Sequence, residues 1–403
     1  MSENFGECLF PLKKIAEGTT EFFIPDFSRM KTLKKYAPSK VPVFYNPSMK
    51  LNRDIAILVL QTYQRMIDRN LVVSEPLAGC GVRGIRFAKE VNGISEIHLN
   101  DINPEAFKLI KRNIKLNNVD DAVFLTNGDA NLFLSQHDAP HKRFDYIDID
   151  PFGTPVHFLD SAIRALKNKG VLALTATDLA PLCGVYPTAA LRKYGGFSLR
   201  TEYSQEIALR LLAGCLAFAA AKHDLGINII FSHKNNHYIR LYAQINQGAK
   251  KANQSLKNIG FIYHCFKCLN RKAALLTRLL VVTDCDECGS TLGSAGPLWL
   301  GKIADKDFCE LVEIEACQKR TGAENRIRKI VRLVKDESDA PPTYFVVDYI
   351  CDKLGVPIPP LTKVISQLCK NNYKIWFTHF HNRGFKTDAP AKIVMEAVRK
   401  ALY

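Results

Sequence analysis

The chain has 403 residues, of which 47% are hydrophobic, which is enough for two domains with buried cores. Its 55 lysines and arginines outnumber 40 acidic residues, and the net charge of +15 indicates a polyanionic partner, either nucleic acid or an acidic membrane surface. No apolar run reaches the length of a membrane span and no signal-peptide pattern opens the sequence, so we expect a soluble, cytoplasmic protein without a membrane partner.

The first fifty residues show no helical periodicity. Residues 17–25 have the pattern of a β-hairpin with its turn at Gly18. The basic segment that follows is either a solvated surface or an arm that binds a polyanion, and its lysines are Lys31, Lys34, Lys35 and Lys40.

A helix is predicted over 52–68 with Asn52 as its N-cap. Arg53 in the first turn opposes the helix dipole, so it is either a ligand for a nearby carboxylate or a solvated side chain.

A glycine-rich loop joins the first buried strand, 71–75, to a helix. The loop reads Gly79-Cys80-Gly81-Val82-Arg83-Gly84 and matches G-x-G-x-x-G in the strand–loop–helix context that this motif requires. The next strand ends in Asp101, about 20 residues further on, which is the spacing at which a carboxylate binds ribose hydroxyls. These features predict an α/β fold, a doubly wound Rossmann-like sheet, with a nucleoside-containing cofactor.

Two classes of cofactor fit this pattern. A dinucleotide places its pyrophosphate at the helix N-terminus, whereas S-adenosylmethionine carries a carboxylate that needs a cation, and Arg53 and Arg83 are available. After the third strand, Asp129 either accepts a hydrogen bond from the adenine amine or is an ordinary turn residue beside Ala130. We favour S-adenosylmethionine, because the next motif suits methyl transfer to an amine and has no evident role in hydride transfer.

That motif is Asp150-Pro151-Phe152-Gly153-Thr154-Pro155, and it follows an apolar run, 144–147, that has the pattern of a buried parallel strand. Proline donates no ladder hydrogen bond, so the strand ends where open α/β sheets bind ligands. A carboxylate, a carbonyl and an aromatic ring presented together suit chemistry on a planar amine. The alternative is an Asp-Pro turn that only ends a strand, and the glycine loop upstream argues against it.

A hairpin of strands 227–231 and 238–245 is expected to close the sheet, so that residues 1–245 form a catalytic domain. Residues 246–403 would form a second, smaller α/β domain. It opens with two C-x-x-C pairs separated by sixteen residues, whose members are Cys265, Cys268, Cys285 and Cys288. Four thiolates predict a closed, structural Zn2+ site. The alternatives are four unrelated reduced thiols or a degenerate ribbon that has lost its metal.

Cations recur in the C-terminal half, together with aromatic residues. They occur on helices, at Lys319, Arg320, Arg326, Arg328, Lys329 and Arg332. They also occur in an aromatic tail, which contains Trp376, Phe377, His379, Phe380, His381, Arg383 and Lys386. The tail either stacks on bases and binds phosphates or forms a small core with a solvated rim. The run Arg192-Lys193-Tyr194-Gly195-Gly196 is either a phosphate-contacting loop or a solvated one.

With these residues in view, the chain resembles the tRNA guanine-26 N2-dimethyltransferase family over nearly its whole length. The resemblance rests on Tyr45-Asn46-Pro47, Asn52-Arg53-Asp54, Asp150-Pro151-Phe152-Gly153-Thr154-Pro155, Thr175-Ala176-Thr177-Asp178, Leu182-Cys183-Gly184, Arg192-Lys193-Tyr194-Gly195, Gly296-Pro297-Leu298-Trp299, Thr378-His379-Phe380 and Lys386-Thr387-Asp388-Ala389-Pro390. It implies transfer of one or two methyl groups from S-adenosylmethionine to the exocyclic N2 amine of guanine 26, with tRNA as the partner. Because the chain stops soon after its last motif, the resemblance favours the compact archaeal or bacterial type.

The resemblance also implies roles for single residues. Asp150 matches the catalytic carboxylate, and Pro151 and Phe152 belong to the same motif. The positions that line the cofactor site in such enzymes are matched here by Arg53, Arg83, Asp101, Asp129 and Ala130, and the loop glycines Gly79 and Gly81 join them. Arg86 lies close enough to Arg83 that either is a candidate.

Two other functions stay open. An amino-methyltransferase that acts on an adenine or cytosine amine in DNA or ribosomal RNA would bind that amine with the same Asp-Pro-Phe motif. A non-enzymatic zinc-ribbon RNA-binding protein would carry the glycine loop only as a relic of its fold. Acids at Asp101, Asp129 and Asp150 argue against this second alternative.

Overall fold

The computed structural model describes residues 10–29, 41–235, 237–278, 283–319 and 324–403. The predicted basic residues Lys31, Lys34, Lys35, Lys40 and Arg320 lie outside these ranges. The chain forms two compact units. The first consists of the residues up to Leu174 together with Glu310–Lys329, and the second consists of Thr175–Cys309 together with Ile330–Tyr403. The predicted functional division near residue 245 stays a prediction.

The N-terminal part of the chain contains a hairpin followed by alternating helices and strands. The strands are β1 (Leu12–Glu17), β2 (Thr20–Pro25), β3 (Leu71–Glu75), β4 (Ile94–Asp101), β5 (Val123–Asn127), β6 (Phe144–Ile149) and β7 (Leu166–Ala176). The helices are α1 (Lys50–Ile67), α2 (Val82–Glu90), α3 (Pro104–Asn117), α4 (Ala130–Ser135) and α5 (Leu159–Arg164).

Within the described residues, the rest of the chain contains eight strands and nine α-helices. The strands are β8 (Leu225–Asn235), β9 (Tyr238–Gln247), β10 (Ile259–His264), β11 (Arg271–Leu275), β12 (Gly293–Trp299), β13 (Phe345–Val346), β14 (Ile375–Phe377) and β15 (Gly384–Thr387). The helices are α6 (Leu179–Leu182), α7 (Pro187–Tyr194), α8 (Ser204–Ala221), α9 (Ala249–Leu256), α10 (Lys306–Gln318), α11 (Glu324–Asp336), α12 (Val347–Leu354), α13 (Leu361–Lys370) and α14 (Ala391–Lys400).

The main sheet has the strand order β5-β4-β3-β6-β7-β9-β8. Strands β3 to β7 pair in parallel, with Val73 opposite Tyr146 and Ser74 opposite Ile147 at the centre, and β8 pairs antiparallel with β9. The chain proceeds from β3 outward to β5 and then returns to place β6 on the other side of β3. The loops after β3 and β6 therefore open onto one crevice, the topological switch point at which such sheets bind ligands. This order confirms the predicted doubly wound fold.

Local chemistry explains several of these elements. Gly18 has φ +57° and turns the predicted hairpin, so that Glu17 pairs with Thr20. The predicted N-cap of α1 was wrong, because α1 begins at Lys50 and Asn52 lies within it. Asn46 instead caps the short 3-10 turn before α1 by accepting the Ser48 N–H at 3.0 Å.

Helix α8 is an exception to the expectation that no segment is long and apolar enough to span a membrane. Its 18 residues are long and apolar enough to span a membrane, and 72% of that window is buried within the protein. Its buried residues include Ile207, Leu211 and Leu216, all with no exposed surface. A core helix meets the same test of length and composition, so α8 by itself is no argument for a membrane location.

The second unit contains two small antiparallel sheets, with the orders β11-β10-β12 and β13-β15-β14. Helices α12, α13 and α14 pack around a shared core that includes Ile350, Val364, Leu368, Val394 and Val398. The aromatic tail contributes to the interior, since the side chains of His379, Phe380 and Lys386 are at most 1% exposed. For these three residues the core interpretation of the tail is confirmed.

Candidate active site

The glycine loop after β3 brings its backbone close to its neighbours. Gly79 and Gly81 have φ of +58° and +74°, a conformation that glycine adopts without strain. A Cβ atom at Gly79 would lie 3.0 Å from the carbonyl oxygen of Phe44. The Gly79 N–H donates to Asp101 Oδ2 at 2.7 Å. The structure therefore brings the loop and the acid at the end of β4 together, as the sequence predicted.

Asp101 and Asp129 stand at the carboxyl ends of the neighbouring strands β4 and β5. Asp101 also accepts the Asn103 N–H at 2.9 Å, and burial raises the pKa of its carboxyl. Asp129 caps α4, since its Oδ1 accepts two backbone N–H groups at 2.9 and 3.0 Å, and the next residue, Ala130, is buried. Asp129 is thus a helix cap, and its predicted contact with adenine stays a prediction.

Arg53 finds its carboxylate within the protein. Its Nε donates to Glu17 Oε2 at 2.8 Å, and its Nη2 donates to the other Glu17 oxygen and to the Asn46 carbonyl. Burial alone would raise the pKa of Glu17, but Arg53 and Arg86 outweigh that effect and lower it. This pair explains an arginine in the first turn of α1. A contact between Arg53 and a cofactor stays a prediction.

The two arginines of α2 have different surroundings. Arg86 is fully buried and forms ion pairs with Glu17 at 3.2 Å, with Asp54 at 2.8 Å and with Glu90 at 2.9 Å. These contacts tie the N-terminal hairpin to α1 and α2. Arg83 instead faces the carboxyl end of β6, where its Nη2 contacts Asp150. Of these two candidates, Arg83 is therefore the one that contacts Asp150.

The Asp-Pro-Phe motif lies at the mouth of the crevice. The Asp150 side chain is 18% exposed, and its Oδ2 accepts a hydrogen bond from Arg83. Its Oδ1 accepts no hydrogen bond from any residue that the structure describes. Phe152, which follows Pro151, is 61% exposed, and its ring meets the Phe44 ring edge-on with centroids 4.4 Å apart. The motif presents a carboxylate oxygen and an open aromatic face.

Sequence reasoning missed several residues that surround these groups. Asp148 and Glu75, at the ends of β6 and β3, are buried acids that face Arg83. Their position at the end of a buried strand is the feature of the sequence that could have identified them. Phe44 precedes Tyr45-Asn46-Pro47 and belongs to none of the motifs singled out in the sequence. A lone acid in a hairpin, Glu17, gave no signal of its partners 36 and 69 residues away.

The basic run after α6 is partly neutralised within the second unit. Lys193 Nζ lies 2.9 Å from Asp178 Oδ2, and the Tyr194 hydroxyl donates to Asp178 Oδ1 at 2.5 Å. Arg192 is exposed. Arg192 to Tyr194 form the end of α7 rather than a loop, and a phosphate contact by this run stays a prediction.

The four predicted cysteines form one cluster in the second unit. Their sulfur atoms all lie within 4.8 Å of one another, and the Cys265–Cys288 and Cys268–Cys285 pairs are each 3.5 Å apart. A tetrahedral zinc ion with Zn–S bonds of about 2.3 Å requires sulfur–sulfur distances of about 3.8 Å. The donor set therefore fits zinc and, with four thiolates, leaves no ligand position for catalysis.

We expect the purified protein to contain one zinc ion per chain and Cys265→Ser to lose it, because three thiolates bind zinc more weakly than four. Metal content is measured by mass spectrometry after dialysis. Cys369→Ser is the matched control, because Cys369 is an exposed free thiol outside the cluster. Unchanged zinc in the Cys265 variant would contradict the assignment.

Comparison with known proteins agrees with this geometry. The family described as N2,N2-dimethylguanosine tRNA methyltransferase matches residues 18–399. A protein of Methanobrevibacter smithii named tRNA (guanine(26)-N(2))-dimethyltransferase is 38% identical over 97% of this chain and 98% of its own length. One from Aquifex aeolicus, named for guanine 26 and guanine 27, is 34% identical over 96% of this chain and 95% of its own length.

A solved structure is similar over almost the whole chain. It is Trm1 from Pyrococcus horikoshii in complex with S-adenosylmethionine, and it covers 96% of this chain and 100% of its own, with 32% identity and a TM-score of 0.84. The family match covers residues 18–399, and the relatives are more than 30% identical along nearly the full length. Both findings point to the same family. The chain belongs to the N2,N2-dimethylguanosine tRNA methyltransferase family.

Proposed function

We propose that this protein transfers one or two methyl groups from S-adenosylmethionine to the exocyclic N2 amine of guanine 26 in tRNA. Family membership supports the reaction and the substrate. The observation that carries the site is the Asp150 carboxylate at the switch point, with one oxygen bound by Arg83 and the other unbonded within the described part of the chain. Such an oxygen is available to accept an amine hydrogen.

The crevice offers donors and acceptors for each part of S-adenosylmethionine, which supplies an electrophilic methyl group when it is bound. Asp101 would accept hydrogen bonds from the ribose hydroxyls, and Gly79 and Gly81 would form the loop beside them, in a backbone conformation that glycine adopts without strain. Asp129 and Ala130 would border the adenine. The amino-acid carboxylate would bind Arg53 or Arg83, each of which would then be shared with a protein carboxylate.

The guanine amine is a poor nucleophile because its lone pair is delocalised into the ring. We expect the Asp150 carboxylate and the Pro151 carbonyl to accept its two N–H hydrogens, which favours a pyramidal nitrogen with a localised lone pair. Asp150 then accepts the proton that the nitrogen releases, directly or through water. The exposed ring of Phe152 would stack on the base. The base must leave the tRNA stack to reach the crevice, which opposes binding by a few kcal/mol.

We assign the catalytic role to residues 1–245 and tRNA binding to residues 246–403. The outer face of α11 supports the second assignment, because it exposes four cations, which are Arg326, Arg328, Lys329 and Arg332. Their contacts with phosphates would offset the free energy of extruding the base. The protein would act where tRNA is matured, in the cytoplasm.

The proposed function is tested with labelled S-adenosylmethionine and two tRNA transcripts that differ only in guanine or adenine at position 26. We expect label in the guanine transcript alone, and nucleoside analysis then counts the methyl groups. A third transcript with adenine at position 27 tests the second position named for the Aquifex relative. Equal label in the first two transcripts would overturn the site assignment, and no label in either would overturn the proposed substrate.

A further inference from the structure

One surface of the second unit groups exposed aromatic rings, and the proposed reaction does not use it. Tyr186 directly precedes α7, Phe197 follows α7, and Phe266 lies between Cys265 and Cys268 of the cysteine cluster. The three aromatic residues are 60%, 48% and 42% exposed, respectively. Exposed apolar residues that are grouped, rather than scattered singly, mark an interaction site.

Contacts with β12 bring Phe197 and Phe266 together. The Phe197 N–H donates to the Gly296 carbonyl at 2.9 Å, and the Gly296 N–H donates to the Phe197 carbonyl at 2.8 Å. At the start of the same strand, a Cβ atom on Gly293 would lie 2.8 Å from Phe266 Cε2 and 3.2 Å from Leu199 Cδ2. Phe266 therefore lies beside the segment that carries Phe197.

The residues before α7 join the same surface. Gly184 packs against the segment that follows α7, since a Cβ atom on Gly184 would lie 2.7 Å from the Arg200 backbone nitrogen. Tyr186 follows Gly184 by two residues and is the N-cap residue of α7. These contacts place the three rings on one continuous surface. We refer to residues 184–200, 265–268 and 293–296 together as the stacking face.

The Phe266 ring is fixed on one side and open on the other. It meets the His264 ring edge-on, with centroids 4.7 Å apart, and the absence of a side chain at Gly293 lets it lie close to β12. A ring that is already fixed loses little conformational entropy when a base stacks on it. Phe266 thus has the properties of a platform for an unpaired base.

The charge of the stacking face points to a polyanion. The face contains four cations and no acidic residue. Lys193 is paired with Asp178 at 2.9 Å. The other three cations are exposed, and their side chains form no ion pair with any residue that the structure describes; they are Arg192, Arg200 and Lys267. Exposed rings interleaved with such cations suit unpaired nucleotides, whose bases stack and whose phosphates bind the cations.

We propose that the stacking face binds unpaired nucleotides of the tRNA, with its three exposed rings stacked on bases and its three unpaired cations bound to phosphates. This inference rests on the proposed function, because tRNA is the substrate assigned there. It extends tRNA binding to α7 and its flanking segments, which precede residue 246. A second copy of this chain would cover the rings, but its own cations would then repel those of the face.

The experiment measures the Kd of the full, zinc-containing protein for a tRNA transcript at several salt concentrations. Phe266→Ala should raise Kd about 5- to 20-fold and leave the slope of log Kd against log salt unchanged, because stacking releases no counterions. Lys267→Ala should instead reduce that slope by about 0.7, the contribution of one phosphate contact. Phe124→Ala is the matched control, because Phe124 is 49% exposed on β5 and lies outside the face; its Kd should stay at the wild-type value.

Phe197→Ala is the second variant, because Phe197 lies outside the cysteine cluster and contacts Gly296 through its backbone. It should raise Kd in the same way, and it decides the question if Phe266→Ala loses zinc, which metal analysis reveals. Phe266→Trp should keep wild-type binding, since an indole also stacks on bases. A single-stranded RNA should compete with tRNA better than a duplex of the same length, and Phe266→Ala should remove this advantage.

Wild-type Kd values in both Phe266→Ala and Phe197→Ala would overturn the proposal. If these variants instead lost a dimer that the wild-type protein forms in analytical ultracentrifugation, with tRNA binding unchanged, the face would be an interface between two copies of this chain. A wild-type protein that binds tRNA through the stacking face and transfers no methyl group would refute the proposed function and leave this inference standing.

Discussion

Replacing Asp150 by alanine is expected to lower kcat for tRNA methylation by at least about 10³-fold, because the variant loses both the acceptor for the amine hydrogen and the base that takes the proton. The affinity for S-adenosylmethionine should change little. Rates are measured under single-turnover conditions with labelled cofactor, and calorimetry gives the Kd. Asp150→Asn should be almost as inactive, since its amide keeps the shape and cannot accept a proton.

Asp160→Ala is the matched control, because Asp160 is an exposed carboxylate ten residues further along and should leave kcat unchanged. If Asp150→Ala retained kcat and lost cofactor affinity, Asp150 would belong to the cofactor site. The pattern of the two constants therefore separates a chemical role from a binding role.

Lys386→Met is expected to destabilise the protein by about 3–5 kcal/mol, because it removes the cation between two buried carboxylates. Lys386 Nζ lies 2.9 Å from Glu206 Oε1 and 3.2 Å from Glu337 Oε2, and all three side chains are about 1% exposed. Arg210 and His379 also contact these acids but cannot replace the central charge. Urea unfolding measures the effect, and Lys392→Met, on the exposed face of α14, should change stability by less than about 0.5 kcal/mol.

The same cluster predicts how acid affects the second unit. Burial alone would raise the pKa of Glu337, but Lys386 and His379 outweigh it and lower the pKa from its ordinary 4.5 to about 2. The stability from ionised Glu337 is therefore fully present above pH 4.5 and is lost as the pH falls toward 2. In Lys386→Met this loss should begin at higher pH. An unaltered acid transition would show that Lys386 does not set the charge of Glu337.

The site could be predicted from sequence wherever a local pattern fixes a position along a strand. The glycine loop, Asp101 and Asp150 each follow a buried strand, and parallel pairing brings the ends of β3, β4 and β6 to one edge. The cysteine pairs are similar, since their spacing encodes the cluster directly. These are short-range signals whose meaning does not depend on the rest of the fold.

Pairings between distant segments could not be predicted in this way. From the sequence, Arg53 was either a ligand for a carboxylate or a solvated side chain, and only the packed structure identifies Glu17 as its partner. The sequence left His379 and Lys386 open between an RNA-binding surface and a small core, because the acids that they contact, Glu206 and Glu337, come from other parts of the sequence. The composition of the aromatic tail is compatible with both interpretations, and the burial of these side chains is what makes them part of a core.

The N-terminal hairpin has a consequence for synthesis on the ribosome. Phe23 and Glu21 bind Asn113 and Asn117 of α3, which lie 90 and 96 residues further along the chain. At about 5–20 residues per second, the ribosome adds α3 roughly 5 to 20 s after the hairpin. During that interval the side of β2 that packs against α3 has no native partner, so the hairpin completes its native contacts only after α3 has been synthesised.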